Sequence, residues 1–174
     1  MIRYVLAVLL SVAILALATM AIDAGASDTT EAELQVAIAD IEAAAVELVA
    51  YEEPSPDGHP NPQRVVEVSI PSRSLTTTDV SHLEIEPVGD ADASIARYVL
   101  ADGTTNDIVL DERIVYRDPT HDRPTVIGER GVQTVRLVLL TDEDGRSVVV
   151  VEPPEHAEDG GPYTFDRIDE GPAF

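Results

Sequence analysis

Cysteine, lysine and tryptophan are absent from this 174-residue chain. Without cysteine there is neither a disulfide nor a thiolate metal site, so packing alone must hold the fold. Without tryptophan, and with aromatics at only 4% of residues, a ligand platform built on large rings is not expected. The missing lysine leaves arginine as the one strong base, 11 residues against 33 acids, for a formal charge of −22. Such a charge repels nucleic acid and anionic lipid, which are polyanions themselves. It also destabilises a compact domain in dilute buffer, until concentrated counterions shorten the screening length to about 3 Å near 1 M salt. Arginine in place of lysine fits a genome rich in G and C and a less strongly hydrated cation. A halophilic host and no nucleic-acid partner are the expectations.

The chain does hold one long apolar run, "YVLAVLLSVAILALATMAI", from Tyr4 to Ile22. As a helix its nineteen residues nearly span a hydrocarbon core of about 30 Å. Arg3 precedes it and Asp23 follows it, so the positive-inside bias places the N-terminus in the cytoplasm and the rest outside. Ala24-Gly25-Ala26 also has the small residues of a signal-peptidase site, giving a secreted product after cleavage following Ala26 as the alternative. The run exceeds the usual apolar core of a signal peptide, about 7–15 residues, which favours a retained anchor over residues 1–26.

Residues 27–51 read as an amphipathic helix. Thr30 and Glu33 have the spacing of a capping box, which predicts a helix start there. Leu34, Ile38, Ile41, Ala45 and Leu48 share one face, and Glu42 and Glu47 lie away from it. That stripe is expected to pack on the chain's own sheet rather than on a partner helix. "EEPSPDGHPNPQ", residues 52–63, has too much proline for a regular element and reads as a linker. From 64 to 153 the period becomes that of strands: "RVVEVSIP" puts Val66, Val68 and Ile70 on a dry face and Val65, Glu67 and Ser69 on the other. Further runs are "HLEIEPV", "SIARYVLA", "DIVL", "RIVYR", "TVRLVLLT" and "SVVVVEP". Asp142-Glu143-Asp144-Gly145 reads as the hairpin between the last two, which are the most apolar and are expected at the sheet centre. Residues 154–174 read as a loose acidic tail, with Tyr163, Phe165 and Phe174 its large apolar groups. The fold class expected is α+β: a transmembrane helix, an amphipathic helix, then a mainly antiparallel β domain.

Chemistry is sparse. Of His59, His82, His121 and His156, only His121 has a local cluster, "DPTHD", in which Asp118, His121 and Asp122 offer oxygen and nitrogen to a cation. In a chain this acidic, a solvated loop is the preferred reading, and no metal or cofactor is expected. Ser72, Ser74 and Thr76–Asp79 form a hydroxyl-rich stretch suited to turn hydrogen bonds. Nucleotide-binding, EF-hand and zinc-protease motifs are missing, as is a G-x-S-x-G nucleophile turn. No catalytic residue is assigned, and the expectation is a protein that is not an enzyme.

The opening "MIRYVLAVLLSVAILAL", the acidic helix and "RVVEVSIPSRSLTTTDV" resemble a haloarchaeal family with one N-terminal hydrophobic helix. Its members are often encoded near type IV pilus-like secretion ATPases and their membrane platforms. The order of elements is also similar to that of type IV pilins and pseudopilins. The resemblance implies a membrane-anchored pilin-like or accessory component, held through residues 4–22 and partnered with pilus or secretion proteins. It differs from pilins in lacking a basic leader and an early acidic residue in the apolar run, and Gly25 with a restart at Thr30 would break the helix. A surface-tethered or secreted β domain binding an extracellular or cell-wall ligand is the alternative. An exported hydrolase stands third, and loss of activity on His121→Ala would favour it.

Overall fold

Residues Ile2–Tyr51 form one unbroken helix of 50 residues, α1. The computed structural model describes residues 2–152 apart from 57, 90 and 129, with the side chains of residues 2 and 18–24 also outside the described set. At about 1.5 Å per residue α1 is roughly 75 Å long. The restart expected at Thr30 does not occur. Gly25 keeps a helical backbone with no positive φ, and Thr30 Oγ1 donates back to Ala26 O at 3.0 Å instead of capping a new first turn. Thr29 Oγ1 does the same to Gly25 O at 2.9 Å, so both hydroxyls are satisfied within a continuing helix. Among the described residues no helix is long and apolar enough to cross a membrane, and the described side chains of the N-terminal apolar run end at Leu17.

The helix ends where the Glu52 amide donates to Leu48 O at 3.1 Å and Pro54 disfavours a helical conformation at Glu53. Arg64 then approaches Glu52 at 3.2 Å and Glu47 at 4.0 Å across the connection. Eight strands follow among the described residues: β1 (Gln63–Ile70), β2 (Val80–Pro87), β3 (Ser94–Leu100), β4 (Thr105–Leu110), β5 (Ile114–Tyr116), β6 (Thr125–Val126), β7 (Gly131–Thr141) and β8 (Ser147–Glu152). They make two four-stranded sheets, ordered β1-β7-β8-β5 and β4-β3-β2-β6. Every pairing is antiparallel except β5 with β8. The fold is therefore α+β with antiparallel-rich sheets. Two-residue β6 is the one strand that the sequence pattern does not announce. The β7–β8 pair is central in its sheet, joined by the expected hairpin with Gly145 at a φ of 79°.

Both sheets turn one face to a shared core. Val66, Val68 and Ile70 of β1, Leu137 and Leu139 of β7 and Val149 and Val151 of β8 meet Leu83, Ile85, Tyr98 and Leu100 of the second sheet there. On one side β5 closes against β2 and β6. On the other, α1 fills the opening, with the Leu34, Ile38, Ile41, Ala45 and Leu48 stripe at 0–1% exposure, as its period requires. Burying each large side chain of that stripe is worth about 1.5–3 kcal/mol. Polar ties fix its depth: Ser27 Oγ donates to Asp102 Oδ2 at 2.8 Å, and the Asp111 amide donates to Glu42 Oε1 at 3.2 Å. Glu42 is thus a contact to the β4–β5 turn rather than part of a purely solvated face.

Candidate functional site

Three surfaces hold the residues on which chemistry or binding would depend. The first is the "DPTHD" loop after β5. Asp118 Oδ1 accepts from the Thr120 amide at 2.9 Å and from Thr120 Oγ1 at 2.7 Å, while Asp118 Oδ2 lies 2.9 Å from His121 Nδ1. The Thr120 hydroxyl and amide, and then His121, hold the Asp118 carboxyl below its usual range. Asp122 does not join them: its Oδ1 accepts from Arg113 Nη2 at 2.6 Å. The three candidate ligands are therefore split between a local turn and a structural ion pair, and no cluster of metal-binding side chains forms among the described residues.

Arg113 is the residue that sequence reasoning missed here. Its side chain is only 9% exposed, and it bridges Asp122 to Asp142, whose Oδ2 lies 3.7 Å from Nη1. Asp142 is itself nearly buried and closes the β7–β8 hairpin, accepting from the Asp144 and Arg146 amides at 2.9 Å each. Those hydrogen bonds and the Arg146 charge keep its carboxyl below the usual range. A pairing across 29 positions (142 minus 113) leaves no local trace in a sequence. The cluster ties the "DPTHD" loop to the hairpin through Arg113 Nη1 and Nη2, while the buried Arg113 Nε has no hydrogen-bond partner among the described residues.

Neither of the other described histidines forms a site. His82 lies on β2 with Nε2 3.1 Å from Glu84 Oε2, beside the Arg97–Asp107 pair on the outer face of the second sheet. His59 is exposed in the proline-rich connection. His156, with Tyr163, Phe165 and Phe174 of the acidic tail, lies outside the described residues. The hydroxyl-rich stretch is a self-satisfied turn: Ser74 Oγ accepts from the Thr76 and Thr77 amides at 3.1 Å each, Thr77 Oγ1 donates to Ser72 O at 2.6 Å, and Asp79 Oδ1 accepts from the Arg73 amide at 2.8 Å. No serine there is poised beside a base.

The second surface is the N-terminal half of α1. From Arg3 to Leu17 every side chain is exposed, and Tyr4, Val5, Leu6, Leu9, Leu10, Ile14 and Leu15 project on all sides of the helix. A helix that is apolar all round and covered by no other described part of its chain needs an apolar surrounding.

The third is a groove of about 410 Å³ between α1 and the edge strand β1. Thr29, Ala32, Glu33, Val36, Ala37 and Asp40 line it from the helix, and Glu67 and Ser69 from the strand. Its lining is mainly apolar, with carboxylates at Glu33, Asp40 and Glu67.

A protein family described as Domain of unknown function (DUF7311) matches residues 1–154. The chain belongs to that family. The DUF7311 match takes in α1 and all eight described strands, so the apolar helix and the β head both lie within the family's span. Neither a curated protein nor a solved structure matches the chain. The family description assigns no reaction, which leaves the geometry to carry the functional reading.

Proposed function

We propose that this DUF7311 protein is a non-enzymatic, membrane-anchored, pilin-like or accessory component of a haloarchaeal type IV pilus-like or secretion system. The observation that carries the reading is the single helix α1, whose N-terminal half is bare and apolar while its C-terminal half is built into the β head. A rigid rod of this kind holds a soluble head at a fixed distance from whatever covers residues 4–22. In the sequence, that apolar run has the length of a membrane span and is flanked by Arg3 and Asp23. The N-terminus is then cytoplasmic and the β head extracytoplasmic. Continuity of the helix through Gly25 and Thr30 removes one difference from pilins, in which an apolar helix runs on into the head. The lack of an acidic residue within the apolar run favours an accessory or minor component over a major filament subunit.

Ala26 is built into the folded helix. It is nearly buried, inside the helix, and its carbonyl receives the Thr30 hydroxyl. A peptidase needs an extended chain at its cleavage site, so a cut after Ala26 has to precede folding of this segment.

The experiment is a deletion in the native host combined with affinity purification of the tagged full chain. The proposal expects loss of pili or secretion, and recovery of the assembly platform with the tagged protein. Normal pili and secretion after deletion would instead favour a surface-tethered or secreted β domain that binds an extracellular ligand, the reading that the α1–β1 groove would serve.

A further inference from the structure

The groove between α1 and β1 combines an uncovered apolar floor with uncompensated negative charge. Val36 is 61% exposed at its centre, beside Ala32. Glu33, Asp40 and Glu67 are all exposed around it, and none has an ion pair among the described residues. Elsewhere arginines do meet acids, as Arg64 meets Glu52 and Arg97 meets Asp107. With 33 acids against 11 arginines many acids lack a cation; the groove differs in that three such carboxylates surround one apolar floor.

We propose that the groove docks an arginine-bearing apolar segment of a partner protein. The aliphatic stem of an arginine covers Val36 and Ala32, and its guanidinium forks to the surrounding carboxylates. Charge decides among occupants. Nucleic acid and anionic lipid are repelled. A second copy brings a further −22, and although its Arg73 and Arg123 side chains have no ion pair among the described residues, Arg64, Arg97, Arg113 and Arg146 are already engaged. The chain's own tail carries Glu155, Glu158, Asp159, Asp166, Asp169 and Glu170 against one arginine, Arg167. A cationic, partly apolar segment complements both the floor and the rim. The inference does not depend on how the helix is anchored or on the secretion role.

The test uses the full chain in neutral detergent, with isotope-labelled valine methyls and two probe peptides. One peptide has four Val-Arg repeats and the other four Val-Glu repeats. Binding of the first, with shifts centred on Val36 and not on distant Val109 or Val126, is the expected result. Neutralising the rim (Glu33→Gln, Asp40→Asn, Glu67→Gln) is expected to weaken it at least about tenfold. A control that removes the same charge elsewhere (Glu53→Gln, Glu86→Gln, Glu143→Gln) is expected to leave affinity within about twofold. Equal losses in the two triple variants would show generic attraction to an acidic protein and overturn the proposal. So would equal binding of the Val-Glu peptide, or shifts away from the groove. Cross-peaks from Phe165 or Phe174 to Val36 without peptide would make the chain's own tail the occupant. Concentration-dependent shifts at Val36 without peptide would make it a second copy.

Discussion

The Thr78 amide donates to Thr30 Oγ1 at 2.8 Å, joining the middle of α1 to the loop that leads into β2. The same oxygen lies 3.0 Å from Ala26 O and 3.3 Å from Thr78 O, so its one proton is held between two carbonyls. Thr30 is fully buried. One hydroxyl thus serves the helix and the head together, and the helix continues through it because its acceptor capacity is used by a neighbour 48 residues away. Thr30→Val keeps the shape and removes the acceptor. It is expected to cost about 1–3 kcal/mol of head stability, and Thr30→Ser well under that, measured by denaturant unfolding at fixed high salt.

Gly25 tests whether α1 is one helix. Its backbone is helical, and nothing lies within 4 Å of where a Cβ would stand. Gly25→Ala is therefore expected to stabilise the protein by about 0.5–1 kcal/mol, and Gly25→Pro to cost about 3 kcal/mol or more. Unchanged stability and helical dichroism in the proline variant would mean that the chain breaks at Gly25 after all.

Two carboxyls at the same end of the sandwich respond to pH with opposite signs. Burial, with Asp92 and Asp111 nearby, raises Glu112 above its ordinary value of 4.5. Its favourable contribution is present below the unfolded pKa and is lost as pH rises through the folded one. Asp142 is lowered below 3.8 by hydrogen bonds from the Arg146 and Asp144 amides and by the Arg146 charge. Its contribution is present above the unfolded pKa and is lost as pH falls through the folded one. Glu112→Gln is accordingly expected to raise the unfolding midpoint at pH 7 and to lose that advantage on acidification below the ordinary glutamate pKa. Asp142→Asn is expected to lower stability at pH 7 and to flatten the acid limb of the profile. Parallel pH profiles for wild type and both variants would refute these assignments.

His121 and Asp118 are expected to be dispensable for any activity of the chain. Their bonds are local to an exposed loop, and Asp122, the third candidate ligand, belongs to Arg113. His121→Ala should leave head stability unchanged within about 0.5 kcal/mol, and the proposed pilus or secretion role intact. A hydrolytic activity lost in that variant would replace the present account with an enzymatic one.

Much of the fold was legible because its signals are local. The alternation of "RVVEVSI" shows its dry face directly, and Val66, Val68 and Ile70 are buried as the period of two requires. The 3.6-residue period in the same way marks Leu34 to Leu48 as core. Asp142 and Gly145 carry the turn chemistry of their hairpin on their own residues. The errors fall where a distant partner overrides a local rule. Thr30-x-x-Glu33 has the spacing of a capping box, yet the Thr30 hydroxyl is claimed by Ala26 and Thr78. Arg113 looks like a strand-edge charge until Asp122 and Asp142 close around it. The α1–β1 groove has no sequence signature, since its helix and strand residues come together only when the edge strand packs beside α1.

The measurement that bears most directly on the anchored-rod account is the N-terminus and intact mass of the protein in membrane and culture fractions of a high-salt host. The account predicts a membrane-held chain that still carries residues 4–22 and resists extraction by alkaline carbonate. A soluble chain that begins at Ser27 would contradict it, making Ala24-Gly25-Ala26 a cut site and the β head a secreted domain.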